Sequence, residues 1–290
     1  MAEQMDTELQ IDPEIGGNYP EWLYDHGTVA TSDVNTFDDV TDDHVQQFHD
    51  SGYLVVRNAF THDETSNALK GLQDLIEGRN PAFTGHQFEK EVEDRIDRLG
   101  EKEKQKYMRK LMYHVEFDQS QRDMAFHQKL NETVQRIIGE DELSMFQDMA
   151  LLKPPRVGRE KPWHQDLAYF NLPLDTTVVG AWIALDKATV ENGCMIIVPG
   201  SHKKGAVIHF KRRDWQICDT EVMNDVAVAV PLKPGGCLLF HGLIHHGTPA
   251  NLTDSPRRAL QFHYRSARIE STSDQARMAV FGSEGKNVSC

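Results

Sequence analysis

With 290 residues, 39% hydrophobic and 26% charged, the chain has the composition of an ordinary globular protein and enough length to bury a core without disulfides or structural metals. Its formal net charge of −14, from 31 basic and 45 acidic residues, argues against a nucleic-acid partner, because phosphate backbones are bound by clustered Lys and Arg. No apolar run approaches the roughly 18 residues of a membrane span and no basic-then-apolar leader opens the sequence, so no membrane partner is expected and a soluble, cytoplasmic protein is.

Residues 1–40 are acidic and turn-rich, with Pro13, Gly16-Gly17 and Pro20 but no helical or strand period. Tyr19, Trp22, Leu23 and Tyr24 interrupt them, a cluster rare in disordered tails, so this arm is expected to drape over the domain. A helix is predicted from Thr41, with Val45 and Phe48 as its apolar stripe and Gly52 as its stop, and a strand over Tyr53–Val56. Thr61 and Glu64 form a capping box ahead of a helix carrying Ala68, Leu69, Leu72, Leu75 and Ile76, with Gly78 as terminator. The mixed charges of 86–113 read as solvated helix. A further helix is predicted over 123–138, with Phe126, Leu130, Val134 and Ile137 on one face.

From about 145 the period changes to that of strands: 145–152, 177–185, 194–198, 226–230, 237–240 and 259–264 are short, apolar and β-branched or aromatic, separated by turn signals such as Pro199-Gly200 and Pro234-Gly235-Gly236. Helices early and strands late favour a β-sandwich or barrel wrapped by helices. Cys194, Cys218, Cys237 and Cys290 form no CxxC pair and read as reduced thiols. A metal bound here would serve chemistry rather than folding.

The residues that carry chemistry begin with Trp163-His164-Gln165-Asp166. On a strand, residues two apart share a face, so His164 and Asp166 can present an imidazole and a carboxylate to one ion. A distant histidine would complete the two-histidine, one-carboxylate set of non-haem iron(II) oxygenases. The alternative is a hydrogen-bonded histidine beside a turn carboxylate. The segment 241–248 carries three histidines, His241, His245 and His246; of the adjacent pair His245-His246 alternation allows only one to face the metal, and that one is the candidate third ligand. Arg257 and Arg258 follow at eleven and twelve residues after His246; a guanidinium fork is the clamp that an oxygenase using 2-oxoglutarate needs for the distal carboxylate.

The run Trp163–Leu167 with Tyr169-Phe170, the segment Gly180–Leu185, the turn Glu191-Asn192-Gly193-Cys194, Pro199-Gly200-Ser201-His202, and His246-Gly247 with Asn251 and Arg257-Arg258-Ala259 together resemble the phytanoyl-CoA dioxygenase family, over about residues 42–268. The resemblance implies a mainly β fold with flanking helices around a double-stranded β-helix, the cupin-like jelly roll, as one oxygenase domain over 41–290. It implies His164, Asp166 and His246 as iron ligands, Arg257 as the carboxylate clamp, Thr248 as its supporting hydroxyl, and Trp182 and Met149 as cosubstrate-pocket walls. His114 falls where some relatives carry a lysine near the cosubstrate. The implied chemistry uses Fe(II), 2-oxoglutarate and O2, with ascorbate in support, releases succinate and CO2, and hydroxylates a small molecule. Desaturation, epoxidation or cyclisation at the same iron, or a non-catalytic jelly roll, are the alternatives; Asp166 disfavours halogenation, whose enzymes lack that carboxylate. Lys203-Lys204 and Lys211-Arg212-Arg213 suggest attraction for an anionic substrate such as an acyl-CoA or phosphorylated metabolite. A monomer or homodimer is compatible with all of this.

Overall fold

The computed structural model describes residues 19–32, 34–89, 92 and 94–282. Its first half carries β1 (Thr28–Val29), α1 (Asp42–Ser51), β2 (Tyr53–Val56), α2 (His62–Ile76), β3 (His86–Phe88), α3 (Glu101–Lys104), β4 (Met108–Met112), α4 (Gln119–Ala125) and α5 (Gln128–Ile138). The second is nearly all strand: β5 (Leu143–Lys153), β6 (Lys161–His164), β7 (Val179–Ala184), β8 (Met195–Val198), β9 (His209–Lys211), β10 (Trp215–Ile217), β11 (Val228–Val230), β12 (Cys237–His241), β13 (His245–Thr248) and β14 (Arg257–Ser266), closed by α6 (Asp274–Phe281).

The helix starts follow their local chemistry. Thr41 accepts from the His44 amide to cap α1, and Gly52 ends it at φ 84°, a left-handed position that suits a residue without Cβ. The Thr61–Glu64 box closes in both directions, at 3.2 and 2.8 Å. The helix expected over 123–138 is two helices. Asp118 caps α4, and the His127 ring accepts from the Leu130 amide to start α5, breaking the run at Phe126.

Seven strands in the order β2-β12-β7-β14-β5-β4-β3 make one large sheet and five in the order β1-β11-β8-β13-β6 a second, while β9 and β10 pair as a two-stranded ribbon. Alternation sorts the larger sheet's side chains into two cores. Ala181, Ile183, Leu239, Leu260 and Phe262 face the helices with Leu72, Leu130 and Val134. Trp182, Ala184, Leu238, Phe240 and Ala259 pack between the sheets against Ile196, Val198 and Val230. This is the two-sheet jelly-roll core expected, and both sheets keep open edges.

The segment 86–113 departs from its expected solvated helix. It supplies β3 and β4 to the large sheet, because Met108 and Leu111 are buried and because its charges pair across the fold. Glu89, 1% exposed, meets Arg109 at 3.0 Å and Arg159 at 2.8 Å, a pairing that buried carboxylates need. The described part of the arm packs down: Leu23 and Tyr24 are buried, the Trp163 indole donates to the Leu23 carbonyl at 2.9 Å, and β1 pairs in parallel with β11. Cys194 and Cys237 are free and buried, as expected; Cys218 is disulfide-bonded, which corrects its reading as a reduced thiol, and Cys290 lies outside the described residues.

Candidate active site

Two strands of the smaller sheet set the site. β13 and β6 run antiparallel with His246 opposite His164, so both rings leave the same face. The expectation that Asp166 lies on the strand needs correction: β6 ends at His164, and Asp166 opens a 3-10 turn. Gln165 between them keeps extended angles, φ −114° and ψ 130°, so the alternation persists for one more residue and the carboxylate still turns to the histidine side. Gln165 is itself fixed. Its amide donates to His209 at 3.0 Å, and its side chain donates to the carbonyls of Gly205 and Leu243 at 2.9 and 2.7 Å.

The donor atoms of His164, Asp166 and His246 all lie within 4.8 Å of one another, and all three residues are buried. Asp166 Oδ1 is 3.2 Å from His164 Nε2 and 3.5 Å from His246 Nε2. Each ring contacts a carbonyl through Nδ1, His164 to Pro162 at 2.7 Å and His246 to Ile244 at 3.0 Å. A carbonyl only accepts, so Nδ1 carries the proton and the Nε2 lone pair faces the shared point. Burial, reinforced by His246 and Lys161, lowers the His164 pKa to about 4. Burial alone would raise that of Asp166, but the neighbouring His246 and His263 hold it well below the usual carboxylate range. A neutral imidazole and an ionised carboxylate are the forms that bind a divalent cation. His245 is buried away from this cluster, its amide donating to Ser201 Oγ at 2.8 Å.

A cavity of about 380 Å³ opens from the three residues; Met149, Trp182, Thr248 and Arg257 line it. Arg257, 2% exposed, donates from Nη1 to the Leu151 carbonyl at 3.0 Å and lies 5.4 Å from the Trp182 ring centre. Its Nε has no hydrogen-bond partner among the described residues, and burial lowers its pKa to about 10. No carboxylate among the described residues pairs with it, and an unpaired buried cation is costly, so an anion entering the cavity would be favoured there. Arg258 points the other way and grips Asp186 with two hydrogen bonds, at 2.7 and 2.8 Å. The donor set and the incompletely bonded guanidinium fit an iron ion and a dicarboxylate.

His114 does not line this cavity. It is fully buried beside Phe262, its amide donating to the Asp148 carboxylate. Lys110 occupies the cavity wall instead, with no carboxylate among the described residues within ion-pair distance. Burial first, then repulsion from Lys161 and Arg109, lowers its pKa to about 8. Gln261 and His263, absent from the sequence reading, both reach Asp166; their even spacing from Arg257, four and six residues along one apolar strand, was the signal that could have found them. The remaining motifs are scaffolding. Asn251 donates to the carbonyls of Lys153 and Ser255 at 2.9 and 2.8 Å, and Gly193, at φ +88°, lies where a Cβ would meet the Pro249 carbonyl at 2.5 Å. The basic stretch after residue 202 is largely neutralised: Lys203 pairs with Asp50, and Arg213 with Glu160 and Asp219.

Among the described residues no helix is long and apolar enough to cross a membrane. Residues 48–259 match the family model described as phytanoyl-CoA dioxygenase. A phytanoyl-CoA dioxygenase domain-containing protein 1 homolog of Caenorhabditis elegans is 25% identical over 267 residues, covering 79% of this chain and 92% of the relative. Among solved structures, EvdO2 from Micromonospora carbonacea var. aurantiaca complexed with 2-oxoglutarate aligns with a TM-score of 0.64 at 22% identity, over 86% of this chain and 96% of that one. The non-haem α-ketoglutarate-dependent carbocyclase SnoK from nogalamycin biosynthesis aligns with a TM-score of 0.62 at 21% identity, over 87% and 96%.

Proposed function

The chain belongs to the phytanoyl-CoA dioxygenase family and is an iron- and 2-oxoglutarate-dependent dioxygenase, and from that premise we propose how its residues divide the work. His164, Asp166 and His246 hold the iron, Arg257 and Lys110 receive the distal carboxylate of 2-oxoglutarate, and the product is a hydroxylated small molecule. The single observation that carries this reading is the meeting, in one cavity, of three convergent metal donors and a buried arginine that has no carboxylate partner among the described residues.

When bound, iron and 2-oxoglutarate supply dioxygen activation, with succinate and CO2 released. The chain's own residues bind and orient. Arg257 offers its two-pronged fork from β14, and Lys110 offers a point charge from β4. Thr248 lies on the same cavity wall, where its hydroxyl can support the carboxylate. Trp182 and Met149 form apolar walls that exclude water and so strengthen every charged contact inside. Tyr169, fixed by bonds to Lys161 at 2.9 Å and to the Trp215 carbonyl at 2.7 Å, stands edge-on to His164 and shapes the substrate side. His114 we assign to the scaffold. The acidic substrate group suggested by the basic stretch loses its support, since Lys203 and Arg213 are engaged in ion pairs. We therefore take the substrate to be a small molecule without requiring a charge.

The test is a metabolite screen that reads succinate formed above the substrate-free rate, with Fe(II) and ascorbate, followed by product mass. Gain of one oxygen atom, shown by product NMR to be a hydroxyl and not an epoxide, supports hydroxylation. Loss of two hydrogens, or a ring closure at constant oxygen count, would replace it with desaturation or cyclisation. A wild-type protein that binds neither iron nor 2-oxoglutarate would refute the assignment of the site.

A further inference from the structure

The two oxygens of Asp166 have different surroundings. Oδ1 faces His164 and His246 at 3.2 and 3.5 Å. Oδ2 faces away and accepts from Gln261 Nε2 at 3.1 Å and from His263 Nε2 at 2.8 Å. Gln261 and His263 are themselves 3.2 Å apart, and both are buried, at 3% and 0% exposure. His263 is wedged among the rings of Phe146, Phe170 and Phe240, which leave it little rotational freedom.

Both donors come from β14, the strand that also carries Arg257. Residues 257, 259, 261 and 263 share one face by alternation. Ala259, small and buried, lies between the arginine and the two donors along this face. Arg257 and Gln261 are four residues apart, about 13 Å along an extended strand.

We propose that Gln261 and His263 are positioning residues that bind the outward oxygen of Asp166 and confine the carboxylate to a single metal contact through Oδ1. A carboxylate can bind through one oxygen or both. Two donors on Oδ2 hold the one-oxygen mode and fix the plane of the group, which keeps coordination positions open for cosubstrate and dioxygen. The outer partners of metal ligands act in this way generally, and their loss costs roughly 10- to 100-fold in metal affinity or activity. The inference rests on the assignment of His164, Asp166 and His246 as iron ligands.

The experiment is anaerobic titration of the metal-free full chain with Co(II), reading affinity and the visible absorption of the bound ion, which reports coordination. His263→Phe fills the aromatic niche without a donor, and His263→Gln restores a donor. The Phe variant is expected to weaken Co(II) binding roughly 10- to 100-fold and to change the spectrum, while the Gln variant keeps the wild-type spectrum and recovers most of the affinity. Gln261→Leu, which spares the aromatic niche, is expected to act in the same direction, and it carries the test if His263→Phe does not fold. Wild-type spectra and affinities in His263→Phe or Gln261→Leu overturn the proposal. Equal losses in His263→Phe and His263→Gln also overturn it, because packing rather than donation would then be responsible. A wild-type chain that takes up no Co(II) would instead overturn the metal assignment on which the proposal stands.

Discussion

Arg257→Ala should remove most of the affinity for 2-oxoglutarate while sparing the apoprotein. In the structure the guanidinium is 2% exposed, with one hydrogen bond to the Leu151 carbonyl and none from Nε. A carboxylate arriving there gains a charge-assisted contact in a site that water cannot easily refill. Truncating one member of such a pair costs roughly 2–5 kcal/mol, which at about 1.4 kcal/mol per tenfold is a loss of roughly 30-fold to several thousand-fold. The apoprotein loses a hydrogen bond worth about 1 kcal/mol but is relieved of an unpaired buried charge, so its melting temperature should hardly fall. At a ligand concentration 100 times Kd, wild type gains about 2.7 kcal/mol from mass action, and a variant weakened a thousandfold gains less than about 0.1 kcal/mol. Isothermal titration and thermal melts with and without 2-oxoglutarate, at saturating iron, read both quantities. Arg257→Lys should recover part of the loss, since an ammonium lacks the planar fork. Arg258→Ala, which breaks only the pair with Asp186, should leave the affinity within a few-fold. Equal losses in the two alanine variants, or a larger one for Arg258, would refute the reasoning.

Alanine at His164 or Asp166 should abolish substrate oxidation and leave circular dichroism unchanged, because a core of this size does not fold around its metal; an unfolded variant or near-normal turnover counts against this. His246→Ala should lose the metal and His245→Ala keep it, checked by iron content after desalting, and the reverse result would shift the register by one residue. For pH, the Lys110 charge disappears as pH rises through about 8, so 2-oxoglutarate affinity should decline over that range, and Lys110→Met should flatten the decline and lower the affinity at neutral pH. The sign for stability is opposite. Because the folded pKa lies below the ordinary lysine value, the unfolded chain binds more protons between them, and this residue's contribution to stability rises with pH there. A Lys110→Met protein whose affinity keeps the wild-type pH profile would remove Lys110 from the site.

Much of the fold was legible because its signals are local. The run Val179–Ala184, the capping box at Thr61 and the two-residue offset of His164 and Asp166 are each decided within a few neighbours. Gln165 shows the limit: alternation predicted the right face for Asp166 although the strand had ended, because one extended residue is sufficient. The charged stretch 86–113 failed for a non-local reason. Glu89, Arg109 and Arg159 satisfy one another across three separate segments, and nothing in the neighbourhood of any one of them shows this. His114 failed through backbone. Lys110 and Met112 alternate into the cavity, but Tyr113 adopts φ 56° and turns the chain, so the next residue goes under the sheet to Asp148. Gln261 and His263 were visible as polar residues on an apolar strand, yet their target lies nearly a hundred positions away.

The parallel pairing of β1 with β11 has a consequence for solubility. An exposed strand edge is a template for joining another chain, and short terminal strands blunt it. β1 has two residues, Thr28 and Val29, and flanking amides of Gly27 and Ala30 bond the carbonyls of Ala227 and Ala229 at 3.0 and 2.8 Å. This small strand takes up hydrogen-bonding groups that β11 would otherwise present along the margin of the smaller sheet. Trimming the chain at Thr41, where the first long helix begins, would uncover that margin together with the apolar faces that meet Leu23 and Tyr24. Such a shortened protein should self-associate through β11, so the arm acts as a guard against aggregation at the far side of the sheet from His164.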